Sequence, residues 1–265
     1  MRNSRTSGGD PARSLALLWR HEAPARSRPG PSPRLRVDDV VDAAIALADS
    51  SGLEGLTIRE VAGKLDVSAM TVYTYVPSKA ELLDLMVDAL YARMPRRPWS
   101  PGQRWRTRVR LVAEANRALY EAHPWLAEVS TARPPLGPGL MAKYDHELAA
   151  LDGVGLSDVE MDATLTLVLG FVHQLAVAAR DVADVQAASG TETEWWSAVG
   201  PELARYADPE RYPLAARVET SVGEAQGGAY DAGRAYEFGL ERLLDGLGAL
   251  IQRGRGEDRQ QIGRT

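Results

Sequence analysis

The chain has 265 residues, 45% of them hydrophobic, with a formal net charge of -5 and no cysteine. This composition can bury a sizeable core in one or two domains, which excludes disorder throughout, and the lack of cysteine excludes disulfides and thiolate zinc sites. The longest apolar run, residues 165–179, is too short to span a membrane and contains His173 and Gln174. The apolar patch at residues 15–19 is too short for a signal peptide. We therefore expect a cytoplasmic protein that does not bind membranes.

Positive charge is concentrated at the start of the chain. Residues 1–36 hold eight arginines against Asp10 and Glu22, a net charge of +6, whereas residues 37–96 carry a net charge of -5. The first segment is rich in Pro, Gly and Ser, and such a segment cannot bury enough apolar surface to fold alone. We predict a flexible arm over residues 1–36, and a solubilising tail is the alternative to a binding role.

Helical signals begin at residue 37. Apolar residues at helical spacing over residues 40–48 predict a first helix that ends in the sequence SSGLEG. Thr57 opens a capping box before a short second helix, and Ser68 can cap a third helix over residues 69–75. Ser78 opens a fourth helix, which the prolines from Pro95 onward end. The sequence PRRPWSPG predicts a joint between two domains.

The remaining chain also reads as helical. We predict helices over residues 103–122, 124–130, 140–152, 157–186 and 235–252, with a loosely structured stretch at residues 207–234. Strand periodicity is absent, so the predicted fold class is all-α. The predicted domains are a helix-turn-helix DNA-binding domain at residues 37–94, a larger helical ligand-binding and dimerisation domain at 103–253, and a disordered tail at 254–265.

Residues 57–79 carry the functional signal. Two short helices joined by a turn of three to four residues, with short side chains on the exposed face of the second, form a helix-turn-helix. The second helix must be narrow to enter a major groove about 12 Å wide. Ala69, Met70, Thr71 and Thr74 meet this need, and Val72 and Val76 can pack inward. Tyrosine hydroxyls and Lys79 at a helix N-terminus can hold phosphates, so an acidic chain can bind DNA locally.

At this point the sequence resembles a known family. The stretch LTIREVAGKLDVSAMTVYTYVPSKAELLDLMVDAL is similar to the DNA-binding domain of the tetracycline-repressor (TetR) family of bacterial regulators. The sequences HPWLAEV, LGFVHQLA and YEFGLERLLDGL resemble the ligand-binding domain of the tetracycline-repressor subtype. The resemblance implies a repressor that binds an operator and is released by a small molecule such as an antibiotic or a metabolite.

The resemblance also implies which residues touch DNA. Tyr73, Tyr75 and Lys79 would hold phosphates, and Arg59 and Thr71 would face bases, although core packing remains the alternative for Tyr75. Some relatives with long arms place arginines in the minor groove. The predicted set is Arg59, Ser68, Ala69, Met70, Thr71, Tyr73, Thr74, Tyr75 and Lys79, with Arg26, Arg28, Arg34 and Arg36 of the arm. Asp66 stands where a turn glycine is usual, and aspartate tolerates the left-handed conformation better than most residues.

Two apolar stripes predict a homodimer. The helices at residues 157–186 and 235–252 each carry a stripe too long for one small domain to cover, so we expect them to pair with a second copy as a four-helix bundle. Twofold symmetry places the two recognition helices about 34 Å apart, and the operator should be an inverted repeat in double-stranded DNA.

The remaining helices are predicted to surround a cavity for a small-molecule effector. The candidates combine polar groups with aromatic walls, although a histidine in an apolar helix is more often a core residue, which is the alternative for His173. No cofactor is predicted, and no residue cluster has metal-ligand spacing. The predicted ligand-binding residues are His123, Trp125, Tyr144, Phe171, His173, Gln174, Arg180 and Trp196, with His146 and Trp195 as further candidates.

Other functions have weaker signals. An enzyme is disfavoured because the sequence holds no phosphate-binding Gly loop, no cysteine nucleophile and no GxSxG motif. The alternative that stays open is a dimeric DNA-binding regulator without a small-molecule inducer, which is controlled by a protein partner, constitutive or activating. Sequence alone does not separate a repressor from an activator, because the position of the operator decides this.

Overall fold

A computed structural model describes residues 6–22, 35–130, 132–226 and 232–262, with side chains except at 192, 224–226 and 254–262. Over these ranges the chain forms eleven α-helices and one 3-10 helix, and they contain no β-strand. The all-α prediction is confirmed. The chain packs as two units, one with the residues up to His173 and those from Leu250 onward, and one with Gln174 to Ala249.

Four helices of the first unit form the segment that we call the reading head. They are α2 (Val37–Gly55), α3 (Ile58–Lys64), α4 (Ala69–Tyr75) and α5 (Lys79–Arg93). The predicted caps form, since the hydroxyls of Thr57, Ser68 and Ser78 accept from the backbone N–H groups of Glu60, Thr71 and Ala80. Gly52 breaks α2 with a φ of 67°, as the sequence SSGLEG predicted.

The rest of the first unit shares a core with the reading head. It contains α1 (Pro11–Leu18), α6 (Trp105–Ala122), the 3-10 helix (Pro124–Glu128), α7 (Pro138–Leu148) and the first part of α8 (Asp158–Ser189). The apolar cluster that buries Val72 and Leu82 also includes Trp125 and Leu126. The PRRPWSPG joint therefore separates two groups of helices that still share one apolar core.

The N-terminal segment differs from its prediction. Residues 11–18 form α1, Asp10 caps this helix, and Leu18 is buried in the core. The expectation of a flexible arm is therefore wrong for residues 6–22, because LALLW supplies apolar side chains that α5 can bury. Arg26, Arg28 and Arg34 lie outside the described residues.

The second unit contains the end of α8, then α9 (Glu192–Leu203), α10 (Pro213–Gln226) and most of α11 (Ala232–Ile262). The expectation of a loosely structured stretch at residues 207–234 is wrong for α10. The backbone of α11 is helical through Ile262, which extends the predicted final helix beyond residue 252. The disordered tail at residues 254–265 stays a prediction. Tyr236, Leu240 and Leu244 of α11 are buried within the chain, so these residues of the predicted dimer stripe do not offer a surface to a second copy.

The predicted dimer stripe on α8 is likewise partly used inside one chain. Leu165, Val168 and Val172 are buried, so they do not offer a surface to a second copy. A different face of the same helix remains exposed, with Leu167, Val182 and Val185 on it. The helical spacing correctly predicted an apolar stripe on α8, but it could not tell a stripe that packs within one chain from a stripe that packs against a second copy.

Candidate nucleic-acid interface and effector cavity

The turn between α3 and α4 closes with the hydrogen bonds of a Schellman motif. Val67 N–H donates to the carbonyl of Ala62 over 3.0 Å, and Asp66 N–H donates to that of Gly63 over 3.2 Å. Asp66 has a φ of 53°, which is the left-handed conformation predicted for it. Aspartate therefore replaces glycine here, and the turn fixes the direction in which α4 leaves α3.

α4 has one buried face and one exposed face. Val72 and the C-cap Val76 are fully buried, as predicted, and they anchor the helix to the core. Met70 is 73% exposed and Tyr73 is 46% exposed, and Thr74 is exposed beside them. The Ser68 hydroxyl lies 2.9 Å from that of Thr71, so these two polar groups occupy the N-terminal end of the exposed face. A helix of seven residues with this narrow outer face has the shape that a major groove admits.

The other predicted DNA-contacting residues lie around α4. Arg59 is exposed on α3, Ala69 is partly buried against the core, and Tyr75 also packs against the core. Tyr75 therefore fits the packing alternative, although its hydroxyl remains a candidate for a phosphate. Arg36 caps α2 and pairs with Asp39 over 3.2 Å while its side chain stays largely exposed.

Lys79 points its ammonium group toward the end of α2. Nζ donates to the carbonyl oxygens of Leu53 and Leu56 over 3.0 and 2.7 Å. Partial burial lowers the pKa of this ammonium. Two of its three donors thus stabilise the C-terminal end of α2, which leaves one donor for a phosphate.

A cavity of about 310 Å³ lies in the first unit, between the end of α5, α6 and α7. The Trp99 ring stacks on the His146 ring, with centroids 4.7 Å apart and planes within 15°, and Trp99 Nε1 donates to the His146 carbonyl over 3.2 Å. Burial lowers the pKa of His146, which favours the neutral imidazole. The lining residues are Met94, Pro95, Arg96, Arg97, Trp99, Leu111, Val112, Ala115, Lys143, His146 and Glu147.

A buried ion pair forms part of the cavity wall. Lys143 Nζ donates to Glu147 Oε2 over 2.7 Å, and both side chains are more than 90% buried. Asn116 Nδ2 donates to the other carboxylate oxygen over 2.6 Å. The Lys143 ammonium also lies 5.2 Å from the Tyr91 ring centroid. Burial lowers the pKa of Lys143, and the adjacent Glu147 carboxylate opposes this shift.

Of the predicted ligand-binding residues in the first unit, the further candidate His146 lines this cavity, whereas His123, Trp125, Tyr144, Phe171 and His173 do not. His123 Nδ1 and Trp125 Nε1 each lie 2.7 Å from Asp49 Oδ1, so these two side chains attach the 3-10 helix region to α2. Tyr144 donates to Asp162, and His173 Nε2 lies 3.1 Å from the Ala127 carbonyl, which fits the core alternative for this histidine. Phe171 is half-buried on α8.

The other three predicted ligand residues belong to the second unit. Gln174 is exposed, Arg180 lies 3.7 Å from Asp184, and Trp196 meets Trp195 edge-on. Sequence reasoning missed Trp99 because it stands in the stretch read as a joint. It missed Lys143 and Glu147 because an i, i+4 pair of opposite charge usually marks a solvated helix face.

One carboxylate joins the reading head to the cavity helix. Asp88 of α5 accepts from the N–H groups of Gly139 and Leu140, over 3.2 and 2.8 Å, in the first turn of α7. A Cβ at Gly139 would lie 2.1 Å from the Asp88 carbonyl oxygen, so only glycine permits this approach. The helix that begins at this contact carries Lys143, His146 and Glu147 of the cavity.

The structure combines an exposed narrow helix, α4, that follows a tight turn with a cavity between the neighbouring helices α5, α6 and α7. These features define a helix-turn-helix transcriptional regulator. The chain belongs to the TetR family. Residues 40–86 match the model of bacterial regulatory proteins of the tetR family, and residues 97–251 match that of the tetracyclin repressor-like C-terminal domain.

Characterised proteins agree with this membership. The chain is 38% identical to the HTH-type transcriptional repressor DrrR1 of Streptomyces coeruleorubidus, over 96% of this chain and 92% of the relative. It is 32% identical to an HTH-type transcriptional regulator of Saccharopolyspora erythraea, over 92% and 94% of the two chains. The solved structure of ActR from Streptomyces coelicolor in complex with actinorhodin superposes with a TM-score of 0.68 at 26% identity, over 82% of this chain and 97% of ActR.

Proposed function

We propose that this protein is a ligand-responsive repressor that binds double-stranded operator DNA through α4 and leaves it when a small molecule occupies the 310 Å³ cavity. The Asp88 contact carries the proposal. Because α7 both lines the cavity and starts on a carboxylate of α5, a ligand that moves α7 also moves the reading head. Effector and operator then favour different arrangements of the same helices, which is the condition for reciprocal coupling.

The proposed DNA surface is the exposed face of α4 with its neighbours. Met70, Thr71 and Thr74 face bases together with Arg59, whereas Tyr73 and the remaining donor of Lys79 hold phosphates. Tyr75 contributes by packing and through its hydroxyl. Arg36 and the arginines at 26, 28 and 34 remain candidates for a minor-groove contact.

We propose that the active form is a homodimer that recognises an inverted repeat. The whole of α8 is long and apolar enough to cross a membrane by length and composition, unlike the shorter apolar run at residues 165–179 from which the sequence prediction was made. Only 22% of its most apolar window is buried within the chain, so most of that window is free to contact a partner. The exposed face that holds Leu167, Val182 and Val185 is better covered by the same face of a second copy, together with the exposed Phe238 of α11. The relatives are transcriptional regulators. On this basis we propose that the protein acts in the cytoplasm and has no enzymatic activity.

The effector chemistry follows from the cavity wall. The stacked Trp99 and His146 rings offer a flat aromatic surface, and the Lys143 and Glu147 charges neutralise each other. Arg96 and Arg97 then add positive charge at the cavity. We propose a planar aromatic effector with an acidic or phenolic group. The ActR complex with actinorhodin gives a precedent in a family member at 26% identity.

A direct test combines selection and release. Full-length protein selects duplexes from a random pool, and we expect an inverted repeat with half-sites one helical turn apart. Aromatic acids are then screened for release of this duplex. Trp99→Ala should raise the concentration needed for release at least tenfold, while the control Trp196→Ala should leave it unchanged.

The alternative regulator without an inducer gives a different result. An effector present at 100 times its dissociation constant adds about 2.7 kcal/mol of stability to the folded state. A compound that stabilises the wild-type protein and releases the duplex supports induction by a small molecule. Duplex selection with no release by any stabilising compound would favour control by a protein partner.

A further inference from the structure

The N-terminal segment of residues 6–22 lies between the reading head and the loop that leads into α7. We call Ser130 with residues 132–137 the α7 entry loop. On the loop side, the Thr6 backbone N–H donates to the Ser130 carbonyl over 3.2 Å. The Thr6 hydroxyl lies 3.1 Å from that carbonyl and 2.6 Å from the Arg133 carbonyl. Thr6 is 97% buried, so these contacts form in the absence of competing water.

Two more side chains of the segment bind the α7 entry loop. Ser7 Oγ donates to the Pro134 carbonyl over 3.2 Å, and Trp19 Nε1 donates to the Leu136 carbonyl over 2.8 Å. Pro134 and Leu136 come immediately before the glycine-flanked start of α7. The segment therefore donates to four carbonyls of the loop, those of Ser130, Arg133, Pro134 and Leu136.

The same segment is fixed to the reading head on its other side. Ser7 N–H donates to Asp84 Oδ1 over 2.6 Å, and Arg20 pairs with Asp38 at the start of α2. Leu18 enters the shared core. A Cβ at Gly9 would lie 2.4 Å from Glu81 Oε1, so the backbone lies directly against α5.

We propose that residues 6–22 are a strap in which Thr6, Ser7 and Trp19 are positioning residues that tie the α7 entry loop to the reading head and carry the coupling between operator and effector. This inference rests on the proposed function and adds a second connection to the one made by Asp88. Asp88 holds the first turn of α7, and the strap holds the loop before it. Movement of α7 is then transmitted to both α5 and α2.

The test measures whether DNA binding at α4 changes hydrogen exchange at the end of the α7 entry loop and in the first turn of α7. The probe is a duplex that the full-length protein has selected from a random pool, and the readout is hydrogen exchange at the amides of Gly137, Gly139 and Leu140. In the wild-type protein we expect the bound duplex to slow exchange at these amides at least threefold. The triple variant Thr6→Val, Ser7→Ala, Trp19→Phe removes the side-chain donors to the loop and keeps the backbone N–H of Thr6. In this variant the change should fall by more than half.

Controls separate coupling from stability. Glu22→Gln, on the exposed end of the strap, should behave as the wild-type protein, and the single variant Trp19→Phe provides a milder change. A merely structural role would lower the unfolding temperature but leave the DNA-induced change in exchange intact, which would overturn the proposal. The same holds if the duplex binds the wild-type protein without any effect at the loop. Failure to select any duplex would instead contradict the proposed function.

Discussion

Single side chains on α4 differ in what they contribute to DNA binding. Tyr73 is exposed next to the buried Val72, and its hydroxyl is the proposed phosphate donor. A hydrogen bond to a charged group contributes about 1.5 kcal/mol or more, so Tyr73→Phe should weaken binding of the selected duplex roughly tenfold for each subunit of the proposed dimer. The loss should be similar for all sequences, because phosphate contacts carry no base information.

Fluorescence anisotropy with the selected duplex and a scrambled one checks this expectation. Tyr212→Phe, an exposed tyrosine of the second unit, is the matched control and should bind as the wild-type protein. An effect confined to the selected duplex would instead assign Tyr73 to base recognition.

Asp84 makes stability depend on pH. Burial raises its pKa above the ordinary 3.8, while the hydrogen bond from Ser7 N–H acts in the opposite direction. Because the folded chain holds this proton more tightly than the unfolded chain, stability falls as pH rises from about 3.8 to the raised folded value and then stays level. Asp84→Asn keeps an oxygen for Ser7 N–H, so it should stabilise the protein at pH 7 and reduce this fall.

Urea unfolding at several pH values measures this effect. The exposed Asp152→Asn is the control, and it should leave the pH profile as it is in the wild-type protein. An Asp84→Asn variant less stable than the wild-type protein at pH 7 would show that the ionised carboxylate stabilises the fold.

At the scale of elements, the crossing of α5 and α7 depends on one glycine. A Cβ at Gly139 would overlap the α5 backbone, so Gly139→Ala must push the helices apart and break the Asp88 hydrogen bonds. Forced overpacking of this kind costs about 1–3 kcal/mol. Gly63→Ala is the control, because a Cβ on that α3 glycine meets nothing within 4 Å and should stabilise its helix by roughly 0.5–1 kcal/mol.

Chemical unfolding of both variants compares the two glycines. Gly139→Ala should also reduce release of the selected duplex by the effector, because α7 no longer starts on α5. Equal stability of the two alanine variants would contradict the close approach.

Elements were predictable from the sequence where their causes are local. Thr57, Ser68 and Ser78 stand three residues or fewer from the amides they cap, so the starts of α3, α4 and α5 could be derived from neighbours in the chain. Contacts between distant segments could not be predicted in this way. The Asp88 contact with α7, the Trp99 stack on His146 and the Ser7 contact with α5 join residues 47 or more positions apart, and no local periodicity encodes such pairs.

At the scale of the whole molecule, the prediction concerns the dimer. Leu167 is half exposed on the face of α8 that we assign to the second copy, so Leu167→Glu should place two like charges in the interface. Sedimentation at micromolar concentration should show monomers, and affinity for the inverted repeat should fall at least tenfold. Met141→Glu, a similarly exposed residue of α7, should remain dimeric. A dimeric Leu167→Glu variant would move the interface to another face.

The apolar cluster that runs without interruption from Val72 through Leu82 to Trp125 and Leu126 has a thermal consequence. Because these residues share one cluster, we expect the DNA-binding helices and the cavity helices of the first unit to unfold in one cooperative transition. Heat should therefore derepress the target genes in a single sharp step, at the temperature where the cavity itself disappears. An effector would release DNA while raising the melting temperature, whereas heat releases DNA by unfolding the protein. One melting curve recorded with the compound therefore distinguishes release by an effector from release by heat.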